Sequence, residues 1–484
     1  MRKSLILVIC VLIILCGINF SACSKNNISK TVYDLDIDFD VANMTATVSE
    51  NVTYTNNTGN KLDNIAFHLY PNAFSDDAEN PPVSSRLVES AYYDGMSYGN
   101  IDILRVEENN ESLTFTEDKE MLYVTIPTLS DGDEITIFIR YSLTLPAVNH
   151  RFGYNENSIN LANFYPVVAV YENSEFRNDN YYPIGDPFYS EVADYNVKLK
   201  VDKDYVVSAT GKADMETANV DTKVINYKAE NVRDFAMVMS DKYQIKSGEA
   251  DEVMVNYYYY NDPNPEQSLN AAVSAIILFN DIIGDYPYDT FSVCETELVY
   301  GGMEYPELVM ISSNLTADDR DQVIVHETAH QWWYGLVGND SINSAWMDEG
   351  LTEFVTALYY AENGQENIMK EIVNNSFNSY LLFNDVRLTV QINADTTMTR
   401  GLGEFTTEYE YVTMVYSKGL LMFNTIYEIE GRDEFVKSMQ RYYRKYCYAN
   451  ATEQQLIDEF NRGNKAVSKV FDAWLNGKVI LTTI

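Results

Sequence analysis

The chain has 484 residues, too many for one compact core, and 46% of them are hydrophobic, so two or three folded domains are expected. Its 72 acidic against 34 basic side chains give a formal charge of −38. A surface that negative repels phosphate backbones, which excludes nucleic acid as a partner, and its ordinary consequence is solubility.

Arg2 and Lys3 open the chain as a short positive segment, and Leu5 to Leu15 follow as an unbroken apolar run of 11 residues, the length of a signal-peptide core. Gly17 and Asn19 interrupt the run before it reaches the length of a membrane span. Phe20-Ser21-Ala22-Cys23 then resembles a bacterial lipobox, with Phe20 where that pattern prefers Leu. The resemblance implies cleavage before Cys23 and a lipid on its thiol. A lipoprotein signal and a plain N-terminal anchor both put the body of the protein outside the cytoplasm, on the outer face of a bacterial membrane in the lipoprotein reading. Residues 24–30 are polar and read as a tether. Beyond Cys10, Cys16 and Cys23, only Cys294 and Cys447 remain, too few for a disulfide framework.

From Val32 the pattern has a period of two: Tyr33, Leu35, Ile37, Phe39 and Val41 alternate with Asp34, Asp36, Asp38 and Asp40. That predicts a half-buried strand with an acidic outer face. Similar runs recur at Met44 to Tyr54, Met121 to Ile126, Glu134 to Leu143, Tyr195 to Val201 and Val224 to Tyr227, separated by turn clusters such as Asp131-Gly132-Asp133. Residues 31–248 therefore read as an antiparallel β domain. Its two histidines, His68 and His150, lack metal spacing and read as structural.

The texture changes near residue 263. Helical periodicity covers Glu266 to Gly284, a strand is expected at Phe291 to Tyr300, and a loop follows at Gly301-Gly302-Met303-Glu304-Tyr305-Pro306. Helices are then expected over about 317–336, 344–362, 365–382, 409–430, 432–447, 452–462 and 465–475, with Thr316 a candidate N-cap. Residues 249–484 thus form a mostly helical domain with one small sheet, and the whole chain is of the α+β class.

Two of the four histidines lie in His326-Glu327-Thr328-Ala329-His330. On a helix, positions i and i+4 share a face, so both imidazoles reach one metal ion, with Glu327 beside them to take a proton from metal-activated water. Zinc chemistry needs a third protein ligand and an open fourth position. Glu349, in Trp346-Met347-Asp348-Glu349-Gly350, supplies the ligand from the next helix, with 18 residues between it and His330. Glu353, one turn later, is placed either to orient one of the histidines or to make a surface ion pair. Trp332 and Trp333 read as core.

Together, His326 to Gly350, the Gly301 to Pro306 loop and Tyr416-Ser417-Lys418-Gly419 resemble the aminopeptidase N family of gluzincin zinc metallopeptidases. Weaker resemblance runs through Gly185-Asp186-Pro187-Phe188, Arg233-Asp234-Phe235-Ala236 and Tyr286-Pro287-Tyr288. The resemblance implies a saddle-like β domain followed by a thermolysin-like catalytic domain. It also implies one Zn2+ per chain on His326, His330 and Glu349, and an enzyme of the membrane alanyl aminopeptidase type. Glu327 becomes the general base, and Tyr416 the donor to the developing oxyanion. Gly301, Gly302 and Met303 line the substrate backbone, and Glu304 grips the free α-ammonium of a peptide. The family's Gly-Ala-Met-Glu-Asn reads Gly-Gly-Met-Glu-Tyr here, with Tyr305 in place of the asparagine. Many relatives add a large helical C-terminal domain; the resemblance here is to a form without it, and a more open channel is expected. The expected function is removal of N-terminal residues from peptides. The rival readings are a zinc endopeptidase and an inactive relative acting as a binding protein.

Overall fold

The computed structural model describes residues 30–392 and 395–483. The signal segment with Cys23, and most of the tether, lie outside the described residues. Among the described residues no helix is long and apolar enough to cross a membrane.

Among the described residues the first half is built round one large sheet, with two four-stranded sheets and a two-stranded hairpin beside it. The largest runs, strand beside strand, through Lys212–Ala218, Thr222–Val232, Ala193–Asp202, Val32–Asp40, Thr45–Thr55, Glu134–Thr144, Asn100–Glu108 and Glu111–Ser112. Alternation does its expected work in Val32–Asp40, where Tyr33, Leu35, Ile37 and Phe39 are buried and the four aspartates face water. Each such apolar side chain contributes about 1.5–3 kcal/mol by leaving water. The domain is not wholly antiparallel, because Val32–Asp40 pairs in parallel with Ala193–Asp202, in a register that sets Asp36 beside Lys198 and Asp38 beside Lys200. Opposite charges face each other in that register, above buried apolar rows, a long-range match that no single segment reveals. His68 stacks on Tyr70 and His150 meets the edge of Phe74; both are buried, and burial drives the imidazole pKa of His68 down to about 4.

A second, five-stranded sheet carries the helices. Its order is Gln244–Ala250, Val253–Tyr259, Thr290–Thr296, Leu308–Ser312 and Gly302–Met303. Gln244–Ala250 pairs along its whole length with Val253–Tyr259, so this sheet begins at residue 244. The edge strand Gly302–Met303 runs antiparallel to Leu308–Ser312, leaving one side of its backbone unpaired within the sheet.

Eight longer helices follow the expected order: α1 (Pro265–Ile282), α2 (Ala317–Ala329), α3 (Glu349–Glu362), α4 (Glu366–Thr389), α5 (Lys418–Glu430), α6 (Arg432–Tyr446), α7 (Glu453–Asn461) and α8 (Lys465–Leu475). The Thr316 hydroxyl accepts from the Asp319 amide and caps α2 as expected. Helix α4 runs seven residues beyond its expected end at 382, and three helices beside the site differ more in kind. Helix α2 ends at Ala329 instead of near 336, because the chain turns back through Trp332, Trp333 and Tyr334 to bury them. Helix α3 starts at Glu349, after a separate helical turn at Ser341–Ser344. The single helix expected over 409–430 is broken by a wide π-turn at Thr413–Ser417. Cys294 is a buried free thiol, so it is not bridged to Cys447.

Two buried cores correspond to the two halves. The first is not confined to the β domain: Met303, Tyr305, Leu308 and Met310 of the second half are packed into it. The loop that carries Glu304 is therefore held by both halves.

Candidate metal centre and cleft

His326 sits in the last turn of α2 and His330 closes it, while Glu349 opens α3. The start of α3 is fixed by Asp348, whose carboxylate accepts from the Glu349 amide at 2.8 Å, from Ser341 Oγ at 2.7 Å and from Asn339 Nδ2 at 3.1 Å. The result is convergence. Nε2 of His330 lies 3.1 Å from both Nε2 of His326 and Oε2 of Glu349, and the remaining edge, His326 to Glu349, is 3.4 Å. A tetrahedral zinc ion with bonds of about 2.0–2.1 Å has ligands about 3.3 Å apart, so this triangle fits the ion and leaves the fourth corner open.

Both rings are oriented from behind. His326 Nδ1 faces the Glu353 carboxylate at 3.0 Å, and His330 Nδ1 faces the Trp333 carbonyl at 2.8 Å. These acceptors hold the proton on Nδ1 and leave each Nε2 lone pair directed at the common point. Glu353 thus serves His326, and the early end of α2 is what brings the Trp333 carbonyl round to His330.

Glu327 is buried beside this triangle, and burial pushes its carboxyl up to about 7 against the opposing pull of His326 and His330. For Glu349, burial is outweighed by His330 and His326, which hold the carboxyl well below its usual range. Gly302 packs against Glu327 so closely that a Cβ there would collide with the carboxylate. Gly301 is less constrained, its nearest neighbour being Val323.

Tyr416 donates to Glu349 Oε1 at 2.5 Å, so in this structure its hydroxyl is engaged by the ligand carboxylate at the edge of the cleft. Two features bring it there. The π-turn at Thr413–Ser417 shifts Tyr416 relative to a regular helix, the kind of local widening found at functional positions. Next to it α3 and α5 cross at Gly350 and Gly419, where a Cβ on Gly419 would lie 2.6 Å from Gly350 Cα.

The triangle opens onto a cleft of about 480 Å3, lined by Gly301, Gly302, Met303, Glu304 and Glu327 among others. Sequence reasoning missed Asp186, which the β half contributes to this cleft. The carboxylates of Asp186, Glu304 and Glu349 lie within 4.8 Å of one another. Asp186 is braced by Arg151 at 2.9 Å. Glu304 is 5% exposed, and burial together with Asp186 raises its carboxyl well above the ordinary range. The clue in the sequence was the Gly185-Asp186-Pro187 turn, but nothing local tied it to residues so far along the chain.

Two imidazoles and a carboxylate on a helix pair, a buried glutamate between the histidines, and a cleft edged by an open strand define the class of the zinc metallopeptidases. Residues 267–474 match the Peptidase family M1 domain. The chain is 23% identical over 416 residues to Aminopeptidase 2 of Candida albicans, covering 80% of this chain and 42% of that protein. It is 30% identical over 233 residues to Leucine aminopeptidase 2-2 of Meyerozyma guilliermondii, covering 42% of this chain and 36% of that protein. The chain spans well under half the length of these curated relatives. The whole fold is similar to an M1 zinc metallopeptidase from Deinococcus radiodurans, with a TM-score of 0.66 at 14% identity, covering 95% of this chain and 97% of that one. A neighbouring structure of the same fold is described as a two-domain M1 zinc metallopeptidase. The two-part architecture is that of those proteins.

Proposed function

We infer that this chain is a zinc aminopeptidase that hydrolyses the first peptide bond of peptides with a free N-terminus. One observation carries the reading: beside the metal triangle the cleft holds two further carboxylates, Glu304 and Asp186, with only one oxygen of Asp186 committed to Arg151. Buried like charges at that spacing favour a cationic occupant, and the α-ammonium of a peptide is the cation that would also set its first carbonyl beside the triangle. In this reading Asp186 takes the part of an assistant to Glu304 from the β half. The tripeptide substrate Tyr-Ser-Ala, described bound to a Deinococcus radiodurans relative of this fold, is of the same class.

His326, His330 and Glu349 would hold the ion. Bound there, zinc supplies Lewis acidity toward the substrate carbonyl and a lowered pKa for water. Glu327, buried beside the triangle, takes the proton of the attacking water and returns it to the leaving amine. The edge strand Gly302–Met303 aligns the substrate backbone through its unpaired side. Tyr416 is placed at the rim, where rotation away from Glu349 brings its hydroxyl toward the charge that develops on the carbonyl oxygen. The lipobox reading of Cys23 adds a lipid anchor on the outer face of the cell membrane, with peptides outside the cell as substrates.

The test compares aminoacyl-coumarin substrates with their N-acetylated forms on zinc-loaded protein. Turnover of the free-amine series alone is expected, and Glu327→Gln should abolish it, by a factor of about 10²–10⁴, with zinc content unchanged. Equal turnover of both series would replace this reading with an endopeptidase, and no turnover of either with a binding protein.

A further inference from the structure

We propose that Tyr305, Asn163 and Asp234 are positioning residues: a closed ring of hydrogen bonds through the β half fixes the distance between Glu304 and the histidine end of the metal triangle. The proposal rests on the aminopeptidase reading above for the role of Glu304.

The ring can be followed atom by atom. Tyr305, adjacent to Glu304 and fully buried, donates its phenol to Asn163 Oδ1 at 2.6 Å. Asn163 Nδ2 donates to Asp234 Oδ1 at 3.3 Å. The other oxygen of Asp234 accepts from the Tyr334 hydroxyl at 2.5 Å. Tyr334 directly follows Trp333, whose carbonyl orients His330. The return path is shorter: Gln331, next to His330, donates from Nε2 to the Tyr305 carbonyl at 3.1 Å and accepts the Glu307 amide at 2.8 Å. Arg233 holds the Tyr334 carbonyl at 2.8 Å and ties the same point to the carbonyl of Ser190 at 2.7 Å.

Three further observations point to positioning rather than to packing alone. Tyr334 has φ 116°, a backbone angle that a bulky residue adopts only when its surroundings impose it. Asn163 has φ 50°, the left-handed region that asparagine tolerates, which turns its amide toward both partners. The Tyr305 side chain is packed into the core of the β half rather than that of its own half. An asparagine at 305 would be too short to reach across the boundary. The tyrosine is therefore not a neutral exchange: it moves control of the Glu304 loop to the β half. The Arg233-Asp234 pair acquires a role by the same route.

The expected consequence is selective. Loosening the ring should let Glu304 drift relative to the metal, weakening capture of an α-ammonium while leaving metal-directed binding intact. A misplacement of about 1 Å at such a site costs up to about a hundredfold. Two hydroxamates with the same side chain separate the two effects: leucine hydroxamate carries the amine, and 4-methylpentanoyl hydroxamate lacks it. Their dissociation constants are measured by calorimetry on zinc-loaded wild type, Tyr305→Phe, Asn163→Ala and Glu304→Gln, with melting temperature and zinc content alongside.

Wild type should prefer the amine-bearing compound. Tyr305→Phe and Asn163→Ala should each lose about tenfold of that preference, with affinity for the deamino compound and zinc content unchanged. If Tyr305→Phe does not fold, Asn163→Ala decides alone. Wild-type preference in these variants, whatever their melting temperature, would overturn the proposal. Glu304→Gln keeps the two readings apart. If it retains the preference, or if wild type has none, the amine site itself is wrong; if it loses the preference while the ring variants keep it, only the ring is wrong.

Discussion

The strand pair Val32–Asp40 and Ala193–Asp202 and the junction of α2, α3 and α5 solve opposite problems. In the strand pair, apolar side chains go inward and charges go outward, where Asp36 meets Lys198 at 2.8 Å and Asp38 meets Lys200 at 2.9 Å in water. At the helix junction the charges go inward: Glu327, His330, Asp348 and Glu349 are all buried, with His330 and Glu349 converging on one point and Asp348 and His330 held by specific hydrogen bonds. A buried charge is costly unless every partner is in place, whereas an exposed one is nearly indifferent to its neighbours. The strand pair should therefore tolerate the loss of charged contacts that the junction cannot.

The sharpest way to break that contrast is at Glu353, which faces His326 Nδ1 from outside the triangle. Glu353→Ala removes the acceptor without touching a ligand. Zinc affinity, measured by competition with a chromophoric chelator, should fall about 10- to 100-fold. Unchanged affinity would mean that the outer carboxylate behaves like the surface pairs of the β half, and the contrast would fail where it is expected to be largest.

A smaller effect is expected from packing at the same junction. Gly419→Ala sets a methyl group against the backbone of Gly350, directly after the ligand Glu349, and neither helix has room for it. Overpacking of this kind costs about 1–3 kcal/mol. Because Tyr416 and Glu349 flank the crossing, kcat should fall along with the unfolding midpoint in urea. Full activity at reduced stability would show that the crossing serves the fold alone.

What could be read from the sequence follows the same division. Alternation located strands such as Val32–Asp40, Thr45–Thr55 and Glu134–Thr144 to within a few residues, because burial on one face is a local rule, but it did not reveal Leu62–His68, Asn100–Glu108 or Ala236–Ser240. The spacing of His326 and His330 was readable for the same reason: i and i+4 on a helix are neighbours whatever surrounds them. Glu349 followed from zinc's need for a third ligand and Glu304 through family resemblance, and the structure brings both to the cleft. Features that depend on distant partners were not visible. Asp186 reaches Glu304 from another domain, and the parallel pairing of Val32–Asp40 depends on a strand far along the chain. The π-turn before Lys418 and the early end of α2 run against helical periodicity, and both occur where a side chain or carbonyl must meet the site.

The smallest effect belongs to the strand pair itself. Lys198 and Lys200 keep about half of their side-chain surface in water, at 52% and 44%, and their aspartate partners are more exposed still. In that environment each pair is worth about 0–1 kcal/mol, and salt screens it further. Lys198→Ala and Lys200→Ala should each lower the urea midpoint only slightly, less so in 0.5 M salt (about 4 Å of Debye screening), and neither should change zinc content or turnover. The register they mark is held mainly by Leu35, Ile37, Val197 and Leu199 beneath them, whose burial does not depend on charge. A loss well above 1 kcal/mol, or a loss of activity, would mean that this acidic face is coupled to the cleft after all, and that the two halves do not divide the work of stability and chemistry as their charge placement indicates.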